Sequence, residues 1–309
     1  MKIVILDAAT FGETDISAFE QFGSVEIFQT TTAGETQERI VNADVIVTNK
    51  VVITAEMMIT CKNLKLICVA ATGMNNVDLD AASSQNIEVK NVAGYSTQSV
   101  IQHTFSMLFY LAGSSGYYDN YVKEGSWAKS PIFTHVDKPF FEVKGKKWGI
   151  IGLGEIGKGV ANVATAFGAE VCYYSTSYKN NDSTYPKVGL SSMLETCDII
   201  TIHAPLNTNT KGLISQSELL QLKDGAILLN LGRGGIVDEE ALSRIIDVKD
   251  IKVGLDVLEV EPMKENHPLL HVKNQEALYI TPHIAWTSVE ARDSLIAKIV
   301  ENIKTFIDG

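Results

Sequence analysis

Three short stretches in the second half of this 309-residue chain carry residue types able to polarise a carbonyl and move a proton. Asn230-Leu231-Gly232-Arg233-Gly234-Gly235 offers a guanidinium, Asp256-Val257-Leu258-Glu259-Val260-Glu261-Pro262 offers carboxylates, and Thr281-Pro282-His283-Ile284-Ala285-Trp286 offers an imidazole. Each follows a β-branched or apolar run, so each falls at the C-terminal end of a strand, where an open α/β sheet places its ligand. Reduction of a 2-keto acid needs these three types: a guanidinium to clamp the carboxylate, a proton donor at the carbonyl oxygen, and a carboxylate that keeps the donor charged. Glu259 and Glu261 both stand within reach of that last role.

A fourth stretch, Gly152-Leu153-Gly154-Glu155-Ile156-Gly157, matches G-x-G-x-x-G between an apolar strand and a helical pattern. That context gives the pattern its meaning: the first glycine permits the tight turn, the second admits a pyrophosphate to the backbone, and the third lets helix and strand pack closely. The next strand should end in an acid for a ribose hydroxyl or near a cation for a ribose phosphate. It ends Tyr173-Tyr174-Ser175-Thr176-Ser177, with Ser175 in the acid's place and Lys179 the nearest cation. A hydroxyl serves either group, so NAD is favoured and NADP stays open.

The elements that position these residues alternate as strands and helices. Lys2 to Leu6, Val25 to Phe28, Asp44 to Thr48, Leu64 to Ala70 and Ile87 to Val89 read as strands, with helical patterns at Asp15 to Phe22, Thr36 to Asn42, Ala55 to Cys61 and Leu79 to Ser84. A second series begins after Lys144 to Lys147: Trp148 to Ile151, Glu170 to Tyr174, Asp198 to His203, Ala226 to Asn230, Lys252 to Val257 and Leu278 to Thr281. Six parallel strands complete a doubly wound sheet. The tail from Ser288 to Ile307 reads as an amphipathic helix that periodicity alone assigns to neither unit.

Composition narrows the function classes. A net charge of −11 leaves no broad basic surface for nucleic acid or anionic membrane. Cys61, Cys68, Cys172 and Cys197 lack C-x-x-C spacing and read as reduced thiols, and the short apolar run Ile3 to Leu6 is no signal peptide, so the expected location is cytoplasmic. Asn91 to Tyr118 has no charged side chain, but its Gln, His, Asn, Ser and Thr residues suit a buried helix better than lipid. No cluster of ligand types has metal spacing, so no metal is expected.

With these motifs in place, the sequence resembles the D-isomer-specific 2-hydroxyacid dehydrogenases along its whole length. Besides the glycine pattern, the resemblance rests on Ala71-Thr72-Gly73-Met74-Asn75-Asn76-Val77-Asp78, Val92-Ala93-Gly94-Tyr95-Ser96, and His203-Ala204-Pro205-Leu206. It implies two Rossmann-like domains: a flavodoxin-like substrate domain of residues 1–96 plus 286–309, and a doubly wound NAD(P)-binding domain of residues 97–285, with the active site in the cleft between them. It implies that Arg233 binds and polarises the substrate, His283 is the general acid/base, and Glu261, which directly precedes the proline, holds His283. A neighbouring carboxylate favours imidazolium and selects the ring nitrogen that faces the substrate. Cofactor contacts would extend from Gly152, Gly154, Glu155, Ile156 and Gly157 to Ser175, His203, Ala204, Pro205, Leu231, Gly232, Arg233, Asp256, His283 and Ala285, with Asp256 on the nicotinamide carboxamide. Backbone amides around Thr72 and Gly73 would hold the substrate carboxylate. Lys50, at a strand end, reads either as a contact to a substrate hydroxyl or as a solvated lysine.

Within the family, the Ala71 to Asp78, Thr48-Asn49-Lys50 and His283 to Trp286 motifs look most like glycerate dehydrogenase, also called hydroxypyruvate reductase. No added cationic cluster awaits a phosphate, so small neutral 2-keto acids are favoured, hydroxypyruvate or glyoxylate first, with D-lactate or branched 2-hydroxyacids as the alternative. Formate dehydrogenases pair their histidine with glutamine, and L-lactate dehydrogenases carry the glycine pattern at the N-terminus, so both fit less well. An NAD-sensing corepressor-like protein also keeps the Arg, Glu and His residues and stands as the reading from another class. The resemblance further suggests that the aromatic-rich segment from Gly113 to Lys144 is the arm of a homodimer formed through the cofactor domains; a packed surface loop is the rival.

Overall fold

A computed structural model describes residues 1–309, which divide into two compact units, Met1–Ser96 with Thr287–Gly309, and Thr97–Trp286. The first unit contains β1 (Lys2–Ile5), β2 (Ser24–Ile27), α1 (Ala33–Ile40), β3 (Val45–Thr48), α2 (Ala55–Thr60), β4 (Leu66–Val69), α3 (Leu79–Ser84) and β5 (Glu88–Lys90). All its strand pairs are parallel, in the order β2-β1-β3-β4-β5, which is the flavodoxin-like order. β3 and β4 are buried at every position, as their near-continuous apolar runs require of strands covered on both faces. The helices start where the sequence supplies caps: Thr54 accepts from the Met57 amide and Asp78 from the Ala81 amide. The segment expected as a helix before β2 forms a 3-10 turn instead, Ser17–Phe22, which buries Phe19 alone. One buried residue is too narrow a stripe to hold a full α-helix against the sheet.

The second unit opens with α4 (Thr97–Ala112) and α5 (Ser115–Lys123). It continues as β6 (Lys147–Ile151), α6 (Glu155–Ala166), β7 (Glu170–Tyr174), α7 (Leu190–Thr196), β8 (Ile199–Ile202), α8 (Gln216–Gln221), β9 (Ala226–Asn230), α9 (Glu239–Ile245), β10 (Ile251–Leu255) and β11 (Leu278–Ile280). The six strands are parallel in the order β11-β10-β9-β8-β6-β7. Beyond β7 the edge is extended by one parallel bridge, Tyr173 to Lys187. The order reverses between β6 and β8, the switch point at whose C-terminal strand ends an open α/β sheet places its ligand.

α4 carries the uncharged stretch that matched a membrane span in length. It is a core helix, packed on α6, β9 and β10, with Val100, Ile101, Phe105, Met107, Leu108 and Leu111 buried. Its polar Thr104 is satisfied by donating to the Val100 carbonyl. No helix is long and apolar enough to cross a membrane.

α10 (Val289–Asp308) returns to the first unit. Ser288 caps it by accepting from the Ala291 amide, and Leu295, Ile296, Ile299 and Ile303 are buried on the face that meets β4. Asn302 and Lys298 donate to the carbonyls of Asn91 and Ala93, fixing its register.

Candidate active site

The second unit gathers the fingerprint loop, the His203 segment, the arginine turn, the Glu261 segment and His283 along the C-terminal ends of its strands. Glycines permit that convergence. Gly152 has φ +93°, and a Cβ there would lie 2.9 Å from the His203 carbonyl oxygen and 3.0 Å from the Ala204 backbone. A Cβ on Gly157 would stand 2.3 Å from the Gly152 carbonyl oxygen, so helix and strand approach as closely as the pattern demands. A Cβ on Gly154 would meet nothing within 4 Å: its face opens outward at the N-terminus of α6, a backbone cradle that fits a pyrophosphate. Glu155 begins that helix and accepts from the Thr97 hydroxyl at 3.0 Å, while Ile156 packs partly into the core.

Beside the cradle, Ala204 is buried and Pro205 exposed. Both ring nitrogens of His203 are sealed from solvent without a partner, although part of the residue reaches the surface. Burial holds its imidazole far below the ordinary histidine value, at about 3, so it is neutral. At the end of β7, Ser175 is 3% exposed and its hydroxyl accepts from the Asn180 amide at 3.3 Å. Asn180 in turn donates to the Leu153 carbonyl at 2.7 Å, tying this strand end to the fingerprint loop.

The arginine turn follows β9. Leu231 and Gly232 are buried; a Cβ on Gly232 would lie 2.8 Å from the Ala204 carbonyl oxygen, and one on Gly234 would lie 1.9 Å from that of Leu258. Buried Asn230 shapes the turn by accepting from the Gly232 amide at 3.0 Å and donating to the Arg233 carbonyl at 2.9 Å. Arg233 itself is exposed, with Nη1 donating to the Gly232 carbonyl.

His283 follows β11. Its Nδ1 lies 2.7 Å from Glu261 Oε2, and the second oxygen of Glu261 accepts from the Leu258 amide at 3.0 Å. Between the two glutamates that the sequence offered, Glu261 is therefore the one on the histidine. Because a carboxylate accepts, Nδ1 carries the hydrogen and Nε2 is the atom turned to other chemistry. His283 has φ +54°, a left-handed conformation uncommon for a side-chain-bearing residue.

Asp256, 1% exposed, holds that conformation in place. Its Oδ1 accepts from the Thr281 hydroxyl at 2.6 Å and the Ile284 amide at 2.9 Å, and its Oδ2 accepts from the Ala285 amide at 3.0 Å. Ser99 donates to the Ala285 carbonyl at 2.6 Å, and His103 Nε2 lies 3.1 Å from the Thr281 hydroxyl oxygen. Since that hydroxyl spends its hydrogen on Asp256, His103 donates from Nε2 and is neutral; burial lowers its affinity for a second proton, against the pull of Asp256. His103 thus belongs to the support of the His283 loop, along with Ser99, Thr281 and Asn230. Its helical spacing signals burial but not what it meets.

In the first unit, Lys50 and the Thr72–Gly73 backbone lie after the adjacent strands β3 and β4. Asp7 fixes the former loop, its buried carboxylate accepting from the Asn49 amide at 2.9 Å and the Lys50 amide at 2.7 Å. Thr72 is held by its own hydroxyl on the Val92 carbonyl and by Asn91 Nδ2 on its carbonyl. No group of three or more His, Cys, Asp or Glu residues is arranged to hold a metal ion.

Residues 105–285 match the sequence profile of the D-isomer specific 2-hydroxyacid dehydrogenase NAD binding domain. The chain is 35% identical over 318 residues to the hydroxypyruvate reductase of Blautia hydrogenotrophica, covering 100% of this chain and 98% of that protein. It is 35% identical over 310 residues to the glycerate dehydrogenase of Methylorubrum extorquens, covering 100% and 96%. Among solved structures, an acyclic imino acid reductase in complex with NADPH and D-Arg superposes with a TM-score of 0.86 at 28% identity, covering 100% of this chain and 97% of the other. The family match over residues 105–285, which lie within the second unit, and this full-length likeness converge: the chain belongs to the D-isomer specific 2-hydroxyacid dehydrogenase family.

Proposed function

We propose that this NAD-binding oxidoreductase reversibly reduces a small neutral 2-keto acid, hydroxypyruvate to D-glycerate or glyoxylate to glycolate. The observation that carries the reading is the 2.7 Å contact between His283 Nδ1 and Glu261, which leaves Nε2 to exchange a proton with a carbonyl or hydroxyl oxygen. Relatives named for hydroxypyruvate and glycerate support the substrate class. When bound, the nicotinamide supplies the redox equivalents for the substrate's carbonyl carbon. Arg233 pairs with the substrate carboxylate and draws charge onto the carbonyl oxygen; His283 gives its proton to that oxygen; Glu261 stabilises the charged imidazole and keeps it from rotating. The cofactor contacts in this reading are Gly152, Gly154, Glu155, Ile156, Gly157, Ser175, His203, Ala204, Pro205, Leu231, Gly232, Arg233, Asp256, His283 and Ala285. The first unit is the substrate domain, with Lys50, Thr72 and Gly73 as its contacts.

The reading extends to a second copy of the chain and to a cytoplasmic setting. Ile132, Phe133, Val136 and Phe140 are 57%, 88%, 70% and 68% exposed on one segment after α5, more apolar surface than a solvated loop needs. All four cysteines are free thiols, which suits a reducing compartment. Sedimentation of Phe133→Asp tests the dimer: a monomer supports it, and an unchanged mass removes this segment from the interface.

The test of function is loss of reduced-nicotinamide absorbance with NADH or NADPH against hydroxypyruvate, glyoxylate, pyruvate and a branched 2-keto acid. Oxidation with hydroxypyruvate or glyoxylate, lost by about 100-fold or more in His283→Gln while NADH still binds, is the expected result. A fully active His283→Gln enzyme overturns the mechanism, and tight NADH binding without turnover of any acid favours the sensor reading.

A further inference from the structure

Glu239, the first residue of α9, touches neither His283 nor Arg233 in the hydrogen-bonding pattern above, yet its carboxylate holds both ends of the loop that carries Glu261. Oε1 accepts from the Glu259 amide at 2.6 Å, and Oε2 lies 2.9 Å from His267 Nε2. Both side chains are nearly sealed, with Glu239 10% and His267 11% exposed. The other ring nitrogen of His267 is spoken for as well: Nδ1 accepts from the Leu269 amide at 3.3 Å. An acceptor nitrogen carries no hydrogen, so Nε2 carries it and donates to Glu239, and one neutral tautomer satisfies both bonds. Between the clamped ends, Glu261 spends one oxygen on the Leu258 amide and the other on His283. On the far side, Gly234 leaves no room between the arginine turn and the Leu258–Glu259 backbone.

We infer that Glu239 and His267 form a strut that sets Glu261 against His283, and so are positioning residues for the proton transfer; the inference rests on the reading of Glu261 as the partner of His283. Without the strut the 259–267 loop keeps its sequence but loses the two bonds that fix its entry and exit, and Glu261 is free to leave Nδ1. Displacement of a catalytic group by about 1 Å lowers rate by as much as 100-fold without a matching loss of ligand affinity.

The experiment is a double-mutant cycle on the full enzyme. Glu239→Gln keeps an acceptor for the Glu259 amide but turns an N–H toward the N–H of His267; His267→Ala removes the donor, and His267→Gln restores one. Glu239→Gln and His267→Ala should each lower kcat for keto-acid reduction about tenfold with NADH affinity little changed, and His267→Gln should recover most of it. In a Glu261→Gln background the same substitutions should cost nothing further, because a positioning effect acts through the residue it positions. Equal losses in both backgrounds, or unchanged kcat in the single variants, overturn the strut. Should Glu239→Gln fail to fold, His267→Ala against His267→Gln completes the cycle, with thermal unfolding followed alongside. Glu261→Gln with wild-type kcat would instead strike the parent reading, an outcome separable from additivity.

Discussion

The backbone amide of His283 donates to the carbonyl of Asp256 at 2.9 Å, so the loop carrying the imidazole hangs from the end of the neighbouring strand. The Asp256 side chain gathers the rest of that loop through Thr281, Ile284 and Ala285. A left-handed non-glycine residue costs on the order of 1 kcal/mol, and the carboxylate over-determines the conformation enough to hold it.

Asp256→Asn should therefore damage more than charge. An amide offers one acceptor oxygen, and its NH₂ would face donors of the loop. An unsatisfied or opposed buried donor costs about 1–3 kcal/mol, and with His283 released from register kcat should fall by about tenfold or more. Thermal unfolding and steady-state kinetics on the one variant check both; a stable variant with wild-type kcat would remove Asp256 from the support of His283.

Much of this was legible in the sequence because its signals are local. A parallel strand covered on both faces reads as a near-continuous apolar run, which makes β3, β4, β8 and β9 readable, and G-x-G-x-x-G between strand and helix marks the fingerprint loop. What was not legible depends on partners far along the chain. Nothing near His103 says that it meets Thr281, nothing near Glu239 says that it meets Glu259 and His267, and the bridge at Lys187 is one residue with no alternation to mark it. Likewise, the spacing of Glu259 and Glu261 left both open until the loop's path brought Glu261 to the histidine.

Gly157→Ala sets two magnitudes against each other. Alanine normally gains about 0.5–1 kcal/mol over glycine inside a helix. Here the new Cβ would stand 2.3 Å from the backbone oxygen of Gly152, and overpacking against an atom that cannot rotate away costs about 1–3 kcal/mol. The clash wins, and it distorts the cradle. NADH affinity, read by fluorescence titration, should fall with stability; unchanged affinity would mean the turn adapts. Gly34→Ala in α1, whose Cβ would meet nothing within 4 Å, is the control and should be neutral or stabilising.

Stability should fall as pH drops from about 6.5 toward 4. Burial depresses the proton affinity of His103 and holds His203 at about 3, against an ordinary 6.5. A depressed histidine is bound neutral in the fold, so the unfolded chain takes up more protons; the contribution is complete above 6.5 and is lost as pH falls through the window. His203 contributes up to about 1.4 kcal/mol per pH unit, and His103 acts in the same direction. Asp182, held at about 2 by the Lys158 ammonium and the Thr184 amide, loses its contribution only below 3.8, so the two effects separate. Urea unfolding at pH 7.5 and 5 should show the loss, and His203→Asn should reduce it; an equal loss in that variant would assign the effect elsewhere.

Ser175→Asp tests the cofactor's ribose end. The native hydroxyl accepts from the Asn180 amide in a nearly sealed position, and a carboxylate there can keep that bond while adding a charge. A negative charge accepts from a ribose hydroxyl and repels a ribose phosphate, so the ratio of kcat/KM for NADH over NADPH should rise. An unchanged ratio would place Ser175 away from the ribose and leave it a loop-bracing residue.

Gly234→Ala should separate the arginine turn from the cradle. Its Cβ would fall 1.9 Å from the Leu258 carbonyl oxygen and 2.4 Å from the Glu259 nitrogen, both backbone atoms, so the turn bearing Arg233 must move. Asn230 anchors the other side of that turn, so the strain falls on Arg233 and on the Leu258–Glu259 backbone that faces it. A guanidinium displaced by about 1 Å loses the paired geometry that clamps a carboxylate, so kcat/KM for the keto acid should fall by as much as 100-fold. The cradle at residues 152–157 lies on another loop, so NADH affinity should be nearly unchanged. Parallel loss of both affinities would show that the turn and the cradle move as one body, and wild-type kinetics would mean that Arg233 does not set the substrate's position.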